Sequence, residues 1–260
     1  MCLINNDIKN NIDLLRSSGA ESVELMLDGS YWNNFQGNHE KLLEILDLYD
    51  LDFGIHSPVW NVNITAENKH IREASIQAYK DSIIFASKVG ANHLVLHPGF
   101  VDAKAFSKEL AKERSIKAIK ELDSFNKDYG VSLLIENVGN DDTGIFTEKE
   151  YINLTKELPE SIKFILDTGH ANITSWDMPN IINKMGSRLK AMHINDNDGI
   201  RDIHLAIGEG TIEWEKLFNS INESKYEYDL ILEYNIGTKL EKLKEGKLIL
   251  NKNIVLNNNN

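Results

Sequence analysis

Short apolar runs alternate with amphipathic segments along most of the chain. The runs lie at residues 2–4, 22–27, 53–56, 93–97, 132–136, 162–167, 189–194 and 228–233, and polar residues follow each of them. Continuous apolar runs of this length are typical of parallel strands that are buried on both faces. Between them, apolar residues recur at helical spacing, and we predict helices over 71–90 and 106–130, ending at Gly90 and Gly130.

The number and spacing of these units predict the fold class. Eight strand-helix units in a chain of 260 residues favour an α/β protein with a single (β/α)8 TIM barrel. An open, doubly wound sheet is the alternative, but no glycine-rich phosphate turn follows the first apolar run. We expect one domain over residues 1–260, a very short first strand at 2–4 and a partly frayed tail over about 239–260.

Composition narrows the classes of function. The formal net charge is −12, which makes a phosphate-backbone-binding protein less favoured. The single cysteine excludes a disulfide within the chain and fits a reducing compartment. No apolar run is long enough to cross a membrane, and the first residues lack the apolar core of a signal peptide. We therefore expect a cytoplasmic protein that does not act at a membrane.

Histidines and acids occupy the ends of the predicted strands. His56, His97, Glu136, Asp167, His193 and Glu233 follow one another at intervals of 26 to 41 residues, about one strand-helix unit each. The residues that join them in the following loops are His170, Asp202 and His204. In a barrel all nine side chains would meet on the C-terminal rim, where barrel enzymes hold their active sites.

Imidazole and carboxylate ligands without cysteine suit Zn²⁺, Mn²⁺, Co²⁺ or Fe²⁺. Each residue alone has a simpler explanation, such as a turn or helix cap. Glu136 and Glu233 fit that explanation least, because each ends an apolar strand where an unpaired carboxylate is costly. The remaining histidines, His39, His70 and His93, lie at helix or strand-start positions and need no special role.

The strand-end stretches resemble a known superfamily. They are FGIHSPVWNVNI, LVLHPGF, LLIENVGN, FILDTGHANI, HINDNDGIRDIHLAIGEGTIEW and LILEYN. Together they are similar to the xylose isomerase-like TIM barrels, which include sugar isomerases and epimerases and the family 2 AP endonucleases. The resemblance runs from residue 22 to residue 235 and is more specific for fold and metal dependence than for the reaction.

The isomerase branch of the superfamily implies one divalent ion held by Glu136, Asp167, His193 and Glu233. The two glutamates would act as acid and base through an enediolate, on a sugar, sugar phosphate or cyclitol. His170 would contribute to catalysis by holding a substrate oxygen. Expected substrate contacts are Arg201, Trp60 and Glu24.

The endonuclease branch implies three zinc ions held by nine residues, and this chain has a suitable residue at each position. They are His56, His97, Glu136, Asp167, His170, His193, Asp202, His204 and Glu233. The expected cofactor is therefore Zn²⁺ or Mn²⁺, at one to three ions per chain.

The loops favour a small substrate over DNA. The loop that begins SPVWNVNI after His56 contains no lysine or arginine, and neither does DGSYWNNFQGN at 28–38. DNA affinity depends mainly on neutralising phosphates, so we expect a sugar-type substrate and an isomerase or epimerase reaction first. Zinc-dependent hydrolysis of abasic DNA or of a small phosphoester is the alternative. A non-catalytic sugar-binding barrel is less favoured, and a homo-oligomer is compatible with the sequence.

Overall fold

The computed structural model describes residues 7–29, 32 and 39–255. Within these ranges seven strands form one parallel sheet in sequential order, β1 to β7. They are β1 Ser22–Met26, β2 Asp52–His56, β3 Leu94–Leu96, β4 Leu133–Glu136, β5 Lys163–Asp167, β6 Leu189–Ile194 and β7 Asp229–Leu232. The sheet curves into a nearly closed barrel with helices between the strands, so the predicted α/β barrel is confirmed. The expected first strand at 2–4 lies outside the described residues.

Helices connect the strands on the outside of the barrel. They are α1 Ile8–Ser17, α2 His39–Leu46, α3 Lys69–Val89, α4 Lys108–Asn126, α5 Glu148–Glu157, α6 Thr168–Ile173, α7 Met178–Met185, α8 Trp214–Glu223 and α9 Leu240–Asn253. A short 3₁₀ turn, Gly186–Arg188, precedes β6. The parallel strands need such crossovers, because consecutive parallel strands cannot be joined by a tight turn.

Local sequence signals set where these helices start and stop. The Asn68 side chain accepts a hydrogen bond from the backbone N–H of His70 and so starts α3. Gly90 ends the same helix with a left-handed φ of 67°, as predicted. The next long helix, α4, ends at Asn126, four residues before the predicted end at Gly130. Residues 127–129 form a turn instead, and Asn126 closes it by pairing with the backbone of Val131.

The C-terminal segment corrects one expectation. Residues 240–253 form α9 rather than a frayed tail, and the helix buries Leu243 and Leu250 against the main hydrophobic core. Burial of this apolar face stabilises the helix more than its composition alone would. The residues after 255 lie outside the described part of the chain. No helix among the described residues is long and apolar enough to cross a membrane.

The interior of the barrel has an apolar layer beneath its C-terminal rim. Val95, Leu134, Ile165 and Ala191 form one buried cluster, each from a different strand. Because side chains alternate along a strand, the residue two positions further on faces the same interior. On these four strands those residues are His97, Glu136, Asp167 and His193. The apolar layer therefore forms the floor of a polar rim.

Candidate metal centre

The nine predicted ligands come together on the rim in three groups that could each hold an ion. The first group is His56, His97 and Glu136. The second is Glu136, Asp167, His193 and Glu233. The third is His170, Asp202 and His204. Within each group the candidate ligand atoms lie within 4.8 Å of one another.

Glu136 belongs to two of the groups through its two oxygens. Its Oε2 lies 3.2 Å from Nε2 of His56 and 3.1 Å from Nε2 of His97. Its Oε1 lies 3.1 Å from Nδ1 of His193, which in turn lies 3.3 Å from Oε2 of Glu233. A single buried carboxylate thus links the first and second groups.

The third group combines His170 of α6 with Asp202 and His204 of the loop after β6, and it is the most accessible of the three. Asp202 contacts Nε2 of His170 at 3.2 Å and Nε2 of His204 at 3.1 Å, and its side chain is 42% exposed. Nδ1 of His204 lies 3.0 Å from the backbone carbonyl of Glu233. A carbonyl only accepts, so Nδ1 carries the proton and Nε2 is left for a ligand. The backbone of His204 has a φ of 40°, a strained value for a non-glycine residue and one typical of functional sites.

A buried aspartate fixes the shape of this loop. Asp196 pairs with Leu205 through two backbone hydrogen bonds of 2.9 and 2.7 Å. Its carboxylate accepts hydrogen bonds from the backbone N–H groups of Gly208 and Gly210 and from Nε1 of Trp214, at 3.1, 3.0 and 2.8 Å. The GEG sequence therefore donates backbone hydrogen bonds to the carboxylate of Asp196, a residue that the sequence analysis had not singled out.

The donor set fits divalent metal ions. It combines five imidazoles with four carboxylates, the ligand types that zinc and manganese accept. Nδ1 of His170 is buried and has no hydrogen-bond partner, although Oδ1 of Asp167 lies 3.4 Å away. Asp167, Glu136 and Glu233 are all buried close together, an arrangement that is costly without cations between them.

Neighbouring charges shift the pKa values of these groups strongly. Burial favours the neutral form of Glu136, but His193, His170 and His56 outweigh it and hold its pKa well below the ordinary value. Burial likewise lowers the pKa of His193, but Glu24, Glu233 and Glu136 raise it well above the ordinary value. The same opposition, with Asp202 the largest raising influence, brings the pKa of His204 to about 9. Without metal, protons therefore take the place of cations in the cluster.

This exchange of protons for metal predicts opposite pH trends in the two forms. A histidine with a raised folded-state pKa stabilises the fold fully below its unfolded pKa of about 6.5. That contribution is lost as the pH rises towards the folded value, which is about 9 for His204. We expect the urea midpoint of the metal-free protein to decrease as the pH rises from about 6.5 to about 9. The metal-loaded protein should gain stability relative to it, because metal ligands must be deprotonated.

Urea titrations at several pH values, with chelator or with buffered metal, measure both trends. A metal-free midpoint that increased across this pH window would contradict the assignment of these histidines as protonated partners of the carboxylates.

Two asparagines hold the candidate ligand Asp167 and were not anticipated from the sequence. Asn137 exchanges two hydrogen bonds with the backbone of Asp167, at 2.7 and 3.0 Å. Asn195 donates to Oδ2 of Asp167 at 2.7 Å, and its Oδ1 lies where a side chain at Gly169 would clash. Both follow a ligand-bearing strand directly, in LLIEN and HIN, and that position is the signal that could have identified them.

The three expected substrate contacts lie in different surroundings. Trp60 is on the rim loop after β2 and is 47% exposed. The guanidinium of Arg201 pairs with Asp198 at 2.8 Å and its side chain is 70% exposed. The carboxylate of Glu24 contacts histidine rings with both of its oxygens. Only Trp60 thus has a side chain that is free of such pairing at the rim.

A family model of known proteins matches most of the chain. It is the model of the xylose isomerase-like TIM barrels, and it matches residues 12–252. The chain belongs to this family. A relative from Methanocaldococcus jannaschii, an uncharacterised protein, is 33% identical over 194 residues, covering 74% of this chain and 73% of its own. A probable endonuclease 4 of Aquifex aeolicus is 28% identical over 246 residues, covering 86% and 84%.

Solved structures share the fold at lower identity. A D-tagatose 3-epimerase-like protein has a TM-score of 0.82 at 21% identity, with 95% of this chain and 93% of that one covered. The IolI protein, solved with a bound zinc atom, has a TM-score of 0.83 at 17% identity, with 98% and 97% covered. The names of these similar proteins thus include an epimerase-like protein, which shares the fold, and a probable endonuclease 4, which is similar in sequence.

Proposed function

We propose that the protein is a divalent-metal-dependent phosphoester hydrolase that acts on a small substrate. The observation that carries the proposal is the presence of three ligand groups, two of which share Glu136. An isomerase that uses one ion needs only the second group. The first and third groups would then hold no ion, whereas a hydrolase with three ions uses all of them.

The residues of the three groups suit this chemistry. Ions bound here would supply Lewis-acid activation of water and neutralise the charge that develops on a phosphoryl group. Glu136 would serve the first group with Oε2 and the second group with Oε1. The third group, with Asp202 part-exposed, is the open side of the centre, and we propose that the phosphoester enters there.

The surrounding loops favour a small phosphoester over a DNA duplex. Residues 57–68, which follow β2, contain no lysine or arginine. The one arginine of the loop after β6, Arg201, is already paired with Asp198. Duplex binding draws most of its affinity from cations that contact phosphates, and these loops offer few. The similarity to a probable endonuclease 4 supports the phosphoester chemistry and makes abasic DNA a necessary comparison substrate.

The test is hydrolysis by metal-loaded protein of a nitrophenyl phosphodiester, a nitrophenyl phosphomonoester and an abasic-site duplex. We expect turnover of a nitrophenyl ester and little cleavage of the duplex. His97→Ala, which removes a ligand of the first group only, should reduce turnover by at least about 10²-fold. His70→Ala is the matched control, because His70 is on the exposed face of α3.

Two results would count against this proposal. The first is an absence of hydrolysis with zinc, manganese or cobalt. The second is an unchanged rate in His97→Ala. Efficient nicking of the abasic duplex would keep the chemistry and replace the small substrate with DNA.

A sugar isomerase or epimerase is the second candidate, and one observation favours it. Among the described residues, the second group is the only one of the three in which every member is buried. Glu136 and Glu233 both contact Nδ1 of His193, so two carboxylates flank one ion position. Under this reading one glutamate removes a proton beside a carbonyl and the other returns it.

Solvent deuterium uptake into a panel of ketose sugars tests this candidate. We expect uptake to be lost in both Glu136→Gln and Glu233→Gln and to survive in His97→Ala. Uptake that persisted in the glutamate variants would remove the candidate.

A further inference from the structure

A buried carboxylate lies beneath the second ligand group and has no place in the reactions above. Glu24 is on β1, and its side chain is 9% exposed. Its Oε1 lies 2.9 Å from Nε2 of His193, and its Oε2 lies 2.7 Å from Nε2 of His93. An ionised carboxylate only accepts hydrogen bonds, so both imidazoles donate from Nε2. Nδ1 of His193 then faces the acids of the second group.

The chain of contacts depends on a glycine. Glu24 and Gly54 are register partners on β1 and β2, and His93 directly precedes β3. The His93 ring crosses β2 to reach Glu24, and a Cβ at Gly54 would lie only 2.5 Å from its Nε2. Any larger residue at 54 would therefore displace the ring.

The His93 ring makes its hydrogen bond at one end only. The residue is 6% exposed, and its Nδ1 is buried without a hydrogen-bond partner. Burying an imidazole with an unsatisfied nitrogen costs free energy. Within the part of the chain that the structure describes, the hydrogen bond to Glu24 is therefore the one polar contact that offsets the cost of burying the His93 ring.

The surroundings make the acid expensive to keep. The interior positions beneath the ligands of β3 to β6 are apolar and form one cluster, Val95, Leu134, Ile165 and Ala191. Glu24 adds a negative charge beside His193, with its Oε1 2.9 Å from Nε2 of the ring. A hydrophobic residue would fill such a position at lower cost.

We infer that Glu24 is a positioning residue for the metal ligand His193, and that His93 holds Glu24 in place. Glu24 fixes the His193 ring with its Nε2 proton downward and its Nδ1 lone pair towards the ion, and makes that nitrogen a stronger donor. This role replaces the expected substrate contact for Glu24 and gives His93 a function. The inference rests on the metal centre of the proposed function and is independent of the reaction.

Metal affinity of the full-length protein tests the inference directly. Competition with a chromophoric chelator gives the zinc affinity, and the visible spectrum of the cobalt-loaded protein reports the ligand geometry. Glu24→Gln keeps the size of the side chain and removes its charge. We expect it to weaken zinc binding by about 10- to 100-fold and to shift the cobalt spectrum. His93→Gln should weaken binding less.

A double-mutant cycle separates this role from a general loss of structure. His93 acts through Glu24, so His93→Gln should have no further effect on zinc affinity in the Glu24→Gln background. Glu67→Gln is the matched control. Glu67 forms an ion pair of 2.9 Å with Arg114 and does not contact these histidines. Its zinc affinity should equal that of the unchanged protein.

The outcomes are distinct. Unchanged zinc affinity in Glu24→Gln, an equal loss in Glu67→Gln, or an undiminished effect of His93→Gln in the double variant would each overturn the positioning role alone. A failure of the unchanged protein to bind zinc, manganese or cobalt would overturn the metal-dependent function together with this inference.

Discussion

Glu136→Gln is expected to abolish metal binding by the first and second groups together and to reduce hydrolysis by at least about 10³-fold. The reason is that Oε2 of Glu136 faces His56 and His97, whereas Oε1 faces His193. An amide has only one oxygen, and its nitrogen cannot act as a ligand in its place. The substitution therefore damages two groups at once, and elemental analysis of metal per chain should record a loss greater than one ion.

A substitution in one group only and a substitution at the surface provide the comparison. Asp202→Asn affects only the third group and should cost no more than one ion per chain. Glu209→Gln is a surface control, because Glu209 forms an exposed pair with Lys242 at 3.2 Å. If Glu136→Gln retained the same metal content as the unchanged protein, the shared-carboxylate arrangement would be wrong.

Removal of metal is expected to lower the thermal midpoint by about 8–16 °C. Ligand binding at about 1,000 times Kd contributes about 4 kcal/mol, and each kcal/mol shifts Tm by about 2–4 °C in a domain of this size. The structural reason is that Glu136, Asp167 and Glu233 are buried near one another and repel without cations between them. Differential scanning calorimetry before and after dialysis against a chelator measures the change.

Re-addition of zinc should restore the original midpoint, which separates metal removal from damage by the chelator. The Glu136→Gln protein should show a smaller drop, since it begins with less metal. A chelator-treated protein with an unchanged midpoint would show that the three groups contribute nothing to stability through metal.

The barrel and its candidate ligands could be predicted from the sequence because both recur about once per strand-helix unit. Seven of the eight predicted strands match β1 to β7 within one or two residues at each end. The spacing of His56, His97 and Glu136 by about one strand-helix unit predicts that they share one rim. Alternation along a strand and one unit per strand suffice for that result.

The supporting residues could not be read in the same way. His93 has no distinctive sequence surroundings, and its pairing with Glu24 depends on the register of three strands and on the missing side chain of Gly54. Asp196 lies in the polar run 195–198, and only the folded loop shows that its carboxylate accepts hydrogen bonds from Gly208, Gly210 and Trp214. Arg201 illustrates the converse case, because it stands in a ligand-rich stretch while its side chain pairs with Asp198. Register and side-chain direction within loops are tertiary properties that local patterns do not contain.

The hydrogen bonds around Asp196 have a consequence for how quickly the proposed centre would exchange bound ions. They hold the 195–210 loop through protein groups alone, so the loop that carries Asp202 and His204 does not rely on metal for its shape. Uptake and release at this open side then require only ligand exchange at a prearranged position, with no folding step in between. An ion held by the third group would therefore be the first to equilibrate with the surrounding metal pool, while an ion held by the enclosed second group would exchange last.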